Sequence, residues 1–130
     1  MITAHRLLLP LGLILLSACA HRPGSLSVQE QSGCPLQMHS GQQLILTLPS
    51  NPTTGFRWLI RDDAAQVLAS LGPEVYSNPE DAGLVGSAGQ STWRFQARQA
   101  GEGHLRLTYQ RPWETGVAPA KSFECAVRVE

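Results

Sequence analysis

Side chains able to do acid–base, nucleophilic or metal chemistry are few and scattered in this chain. His21, His39 and His104 show no spacing suited to a metal ion. No serine or cysteine sits in a nucleophile motif. Glu80-Asp81 could attract a cation, but two adjacent acids in a polar segment read far more readily as a solvated loop face. The most informative stretch is Asn51-Pro52-Thr53-Thr54-Gly55-Phe56, which carries no acid, base or thiol. Pro52 sets its own φ and drives Asn51 out of the helical region. Gly55 tolerates φ > 0, and Asn51, Thr53 and Thr54 can hydrogen-bond local backbone. The chemistry such a segment offers is the presentation of one rigid shape, which favours binding over catalysis. The alternative is an ordinary turn between two strands.

The composition narrows the function classes. The chain has 130 residues, the size of one domain, and its ten basic and ten acidic side chains cancel. Nothing points to nucleic acid or an acidic substrate. No cofactor and no metal is expected, and the protein is expected to act as a monomer without enzymatic activity.

The N-terminus has a separate logic. His5 and Arg6 precede an apolar run from Leu7 to Leu16, too short to span a bilayer and suited to a signal-peptide core. The run ends in Leu16-Ser17-Ala18-Cys19, which resembles the bacterial lipobox; a plain secretory signal with an incidental cysteine is the alternative. The resemblance implies a signal peptide over 1–18, lipidation of Cys19 and a protein anchored in the bacterial cell envelope, periplasmic or at the outer membrane. Several acyl chains would give stable anchoring. The polar residues that follow, with Pro, Gly and several Ser, predict a flexible tether over 19–32.

The domain is expected over 33–130. Cys34, Leu36 and Met38 share one parity, as do Leu44, Leu46 and Leu48. Phe56, Trp58 and Ile60 alternate with Arg57, Leu59 and Arg61. Residues 62–71 read as a short helical turn or an irregular crossing, and Glu74 to Ser77 as a short strand. Trp93, Phe95 and Ala97 share a face, then Leu105, Leu107 and Tyr109, then Phe123, Cys125, Val127 and Val129. About seven short strands with regular turn signals predict an all-β fold, an antiparallel β-sandwich of immunoglobulin type. Cys34 and Cys125 both fall on apolar faces. They could pair in an oxidising compartment, adding roughly 3–5 kcal/mol, or remain two buried thiols.

In such a sandwich, alternate turns meet at one end. The segment after the second strand, the glycine-rich segment from Asn78 to Gln90 and the segment opening at Arg111 can therefore share a pole. At this point the chain resembles the chagasin-like inhibitors of papain-type cysteine peptidases. Asn51 to Phe56 matches the family's NPTTG-aromatic motif. Gly86-Ser87-Ala88-Gly89, followed by Trp93 and Phe95, corresponds to its GxGG segment, with Ala88 where glycine is usual. Arg111-Pro112-Trp113 matches its RPW motif. The resemblance implies reversible, non-covalent inhibition of a papain-like cysteine peptidase, with three loops entering and flanking the active-site cleft. The rival reading is a lipid-anchored immunoglobulin-like module that binds another cell-envelope partner.

Overall fold

Four long strands carry the alternation that builds the core. β3 (Gln43–Ser50) and β7 (Gly89–Ala97) form one antiparallel pair, and β8 (Gly101–Gln110) and β9 (Lys121–Val129) form another. With period 2, every second side chain of each strand faces the opposite sheet. Leu44, Leu46, Trp93 and Phe95 meet Leu105, Leu107, Cys125 and Val127 in one buried cluster. The computed structural model describes Gly12, residues 24–78 and residues 89–130.

The shorter strands complete two sheets. β1 (Ser25–Val28), β5 (Leu68–Ser70) and β6 (Val75–Ser77) join the first, in the order β1-β3-β7-β5 with β6 also on β7. β2 (Leu36–Met38) and β4 (Arg57–Asp63) flank the second, in the order β2-β9-β8-β4. The described residues thus form an immunoglobulin-like sandwich of nine strands rather than about seven. It is antiparallel except at two edges, where β1 runs parallel to β3 and β2 parallel to β9.

Three local expectations are corrected. Ser25–Val28 lies within the stretch read as tether, yet it pairs with β3 from Ser25↔Gln43 to Val28↔Leu46, and Val28 joins the core. Its hydrogen bonds come from a partner strand remote in sequence, so composition alone could not reveal it. Residues 62–71 hold the end of β4, a turn in which Leu68 N–H donates to the Ala64 carbonyl (2.9 Å), and β5. Ala64 takes φ 53° there, and the Asp62 carboxylate accepts its N–H (3.0 Å). Ile60 has the parity of buried Trp58 but is 44% exposed, because β4 is an edge strand whose pairing slips between Ile60 and Asp62.

Chain crossing between β1 and β2 is secured twice. In the 3-10 turn Gln31–Gly33, the Gln31 side-chain amide pairs with β9: its Nε2 donates to the Glu124 carbonyl, and its Oε1 accepts from Glu124 N–H. Beside it, Cys34 and Cys125 are joined in a disulfide, with Cα atoms 5.2 Å apart and a sequence separation of 91. Of the two readings left open by the sequence, the bridge is the one formed. Replacing both cysteines by alanine should remove about 4 kcal/mol of stability on the chain-entropy account. The melting temperature should fall by roughly 15–30 °C for a domain of this size. Scanning calorimetry checks this; a shift of only a few degrees would mean the bridge constrains little beyond what the sheets already hold.

Candidate functional site

The sheet topology decides where the three singled-out segments lie. Loop 1, Asn51 to Phe56, leaves β3 in the first sheet and enters β4 in the second, so it bridges the sandwich at one pole. Its N-terminal neighbour Ser50 pairs with Gly89, the residue where the glycine-rich segment ends and β7 begins. Its C-terminal neighbour Arg57 pairs with Gln110, after which loop 3 opens at Arg111. Loop 1 is therefore flanked by Gly89 at the start of β7 on one side and by loop 3 on the other. Gly86, Ser87 and Ala88 lie outside the described residues, as does Cys19. Gly89, expected in the loop, is instead the buried first residue of β7. The Tyr76 ring covers it so closely that a methyl group there would overlap the ring.

Loop 1 owes its shape to its own side chains. Pro52–Thr54 forms one 3-10 turn, and Gly55 follows in the left-handed region at φ 84°. Thr53 Oγ1 donates to Asn51 Oδ1 (2.6 Å), and Thr54 Oγ1 donates to the Asn51 carbonyl (2.7 Å). Gly55 N–H donates to the Pro52 carbonyl (3.0 Å). Asn51, Thr53 and Thr54 remain exposed while their polar groups hold the turn. Gly55 is required twice over. Its φ suits glycine, and a side chain there would strike the Trp113 indole, which lies against it.

Phe56 closes the motif by pointing inward. Its ring stacks on Tyr109 at 5.3 Å between centroids, and Tyr109 meets Trp58 at 4.9 Å. The Tyr109 hydroxyl accepts the N–H of Asn51 (2.9 Å), and Trp58 Nε1 donates to the Pro49 carbonyl (2.9 Å). One aromatic cluster thus supports both ends of the loop. Such stacked pairs add about 0.5–1.5 kcal/mol beyond area burial.

Arg111 ties loop 3 to loop 1. Its Nε donates to the Thr54 carbonyl (3.0 Å), and its guanidinium lies 4.6 Å from the centre of the Phe56 ring. A third contact, a 3.0 Å ion pair with Glu114, holds the loop 3 turn. The planar guanidinium can stack and donate sideways at once, which an ammonium cannot. Trp113 is 66% exposed, with one edge on Gly55 and the rest facing solvent. Beside loop 1, Ser50, Pro52, Phe56, Arg57, Glu74 and Tyr76 line a concavity of about 300 Å³.

Among the described residues both cysteines are joined in the disulfide and no cluster of three metal-ligating side chains occurs. What the pole offers is a stiff, mostly uncharged ridge. Sequence reasoning found the exposed motifs but not the residues that brace them. Tyr109 was legible only as a core position, Glu114 only as an acid three residues beyond Arg111, and Tyr76 gave no signal.

The shape and the motifs have counterparts. A family described as "Chagasin family peptidase inhibitor I42" matches residues 37–127. Chagasin of Trypanosoma cruzi is 30% identical over 86 residues, which cover 63% of this chain and 76% of that protein. The crystal structure of the cysteine protease inhibitor EhICP2 from Entamoeba histolytica superposes with a TM-score of 0.70 at 22% identity, covering 82% of this chain and 96% of that one. PbICP-C, solved in complex with falcipain-2, superposes with a TM-score of 0.51 at 18% identity, covering 82% and 99%. The family match spans most of the sandwich, including Asn51 to Phe56 and Arg111 to Trp113, and the chain belongs to the chagasin family of peptidase inhibitors.

Proposed function

We propose that this protein inhibits papain-type cysteine peptidases by seating the loop pole in the active-site cleft. Loop 1 enters at the catalytic centre, with Thr53 and Thr54 against its surroundings. The glycine segment (Gly86, Ser87, Ala88, Gly89) and Arg111-Pro112-Trp113 grip the rim on either side. The observation that carries this reading is the state of loop 1's carbonyls. Those of Asn51, Pro52 and Thr54 already accept hydrogen bonds within the protein. A peptidase must lay a substrate extended and polarise its scissile carbonyl with its own donors. A turned loop with these three carbonyls engaged resists both, so the loop occupies the cleft without reaching attack geometry. Rigidity also spares the ordering cost that weakens a flexible peptide.

The N-terminal segment supports a second part of the proposal: export, cleavage before Cys19 and lipid attachment there, placing the domain in a bacterial cell envelope. The apolar run, the small residues and the cysteine stand in the required order. The disulfide suits an oxidising compartment outside the cytoplasm.

The direct test is a titration of papain with the lipid-free domain starting at Ala20, following residual hydrolysis of a small substrate. Stoichiometric, reversible loss of activity is expected. A folded domain that leaves papain and a cathepsin L-type enzyme untouched at micromolar concentration would remove this reading. Trp113→Ala should weaken inhibition at least about 30-fold, the ~2 kcal/mol of an interface hot spot. Its melting temperature should stay within a few degrees, because most of the indole packs against nothing; unchanged inhibition would take Trp113 out of the interface. Arg111→Ala should weaken inhibition about tenfold, ~1.4 kcal/mol, by loosening loop 1 from loop 3. Arg111→Lys should recover little of that, since the lysine lacks the planar fork; full recovery would reduce the role of Arg111 to its charge.

A further inference from the structure

The strand β1 begins at the pole opposite loops 1 and 3. The Gly24 carbonyl accepts the N–H of Gln43, the first residue of β3 (3.2 Å). β1 starts level with β3 and, being parallel to it, runs toward the loops. At the same far end, Glu130 N–H donates to the Met38 carbonyl (2.9 Å), and the Glu130 carbonyl accepts from Ser40 N–H (3.2 Å). β3 then takes eight residues to climb from this end to Ser50, at the foot of loop 1. That climb is roughly 23 Å at the usual rise of a strand.

Resting on the reading of Cys19 as lipidated, we infer that the lipid holds the domain by this far pole, so that loops 1 and 3 are kept off the bilayer. From Cys19 to Gly24 there are only five residue steps, which extend to at most ~18 Å whatever their conformation. If the loops lay on the lipid surface, the far pole would stand at least ~23 Å above it. Five steps cannot span that gap. A tether running to residue 32 would reach ~45 Å and allow either pose. The pairing of β1 with β3 removes that freedom, because it consumes the residues a longer leash would need. The enzyme this geometry serves is therefore one that approaches from the aqueous side, and no release from the membrane is needed for inhibition.

The test compares three samples against papain. The first is the full chain, exported and lipidated in a bacterial host and placed in a phospholipid nanodisc, whose two faces both meet solvent. The second is the lipid-free domain starting at Ala20. The third is that domain with Val117→Cys coupled to a maleimide lipid in the same nanodisc; Val117 is exposed in loop 3, so this sample is held by the loop pole. The disc-held full chain should inhibit with a constant within about threefold of the lipid-free domain, while the sample held at position 117 should lose at least tenfold. If the lipid-free domain inhibits but the disc-held full chain does so only after detergent, the orientation is wrong although the inhibitor reading stands. If the lipid-free domain itself fails, the inhibitor reading falls. If the full chain carries no lipid and stays in the soluble fraction of its host, the anchor falls and the orientation with it.

Discussion

Loop 1 has to cross from one sheet to the other within six residues and still hold a single shape. Most features of this pole answer that demand. The crossing begins one residue after β3 has paired with the start of β7 and ends where β4 pairs with the end of β8. Any change in its shape would displace both neighbouring segments. The protein meets the demand with short-range polar bonds inside the loop and an aromatic platform beneath it. The 3-10 turn, the left-handed Gly55 and the threonine hydroxyls form a local solution, whereas Tyr109, Phe56 and Arg111 form a tertiary one.

This division explains why a binding surface can be both exposed and stiff. Exposed loops are normally the least ordered part of a domain, because few buried contacts hold them. Here exposed residues are also tied down by their polar groups. Thr54 is exposed, yet its hydroxyl donates to the Asn51 carbonyl and its own carbonyl is held by Arg111. Trp113 offers most of its indole outward and rests one edge on Gly55. Arg111 reads from sequence equally as a contact residue or as a structural one bonding loop carbonyls, and its bonds show it bracing the pole: two of its three partners lie in loop 1 and the third in its own turn.

The opposite pole has a different economy. There β1 starts beside the start of β3 and β2 ends beside the end of β9, while the bridge from Cys34 to Cys125 with the Gln31 amide closes the crossing between β1 and β2 at mid-height of β9. The two parallel pairings at the edges set the start of β1 and the end of β2 away from loops 1 and 3. On the proposed reading, inhibition and attachment therefore occupy separate ends of the same sandwich.

Much of this was legible in the amino-acid sequence. Alternation with period 2 identified the core faces of β3, β7, β8 and β9, because long strands with one buried face must repeat that way. The loop motifs were legible because Pro52, Gly55 and the threonines act on their own backbone, with effects that need no partner. Other features depended on partners distant in the chain. β1 and β5 are too short to show a pattern, and their hydrogen bonds come from β3 and β7. Gly89 reads as loop glycine until Tyr76 is seen lying over it, and Ile60 reads as core until β4 is seen at an edge. Local conformational preference was written in the sequence. Tertiary structure decided strand pairing and the direction each end of the sandwich faces, because both depend on contacts between segments that sequence order keeps apart.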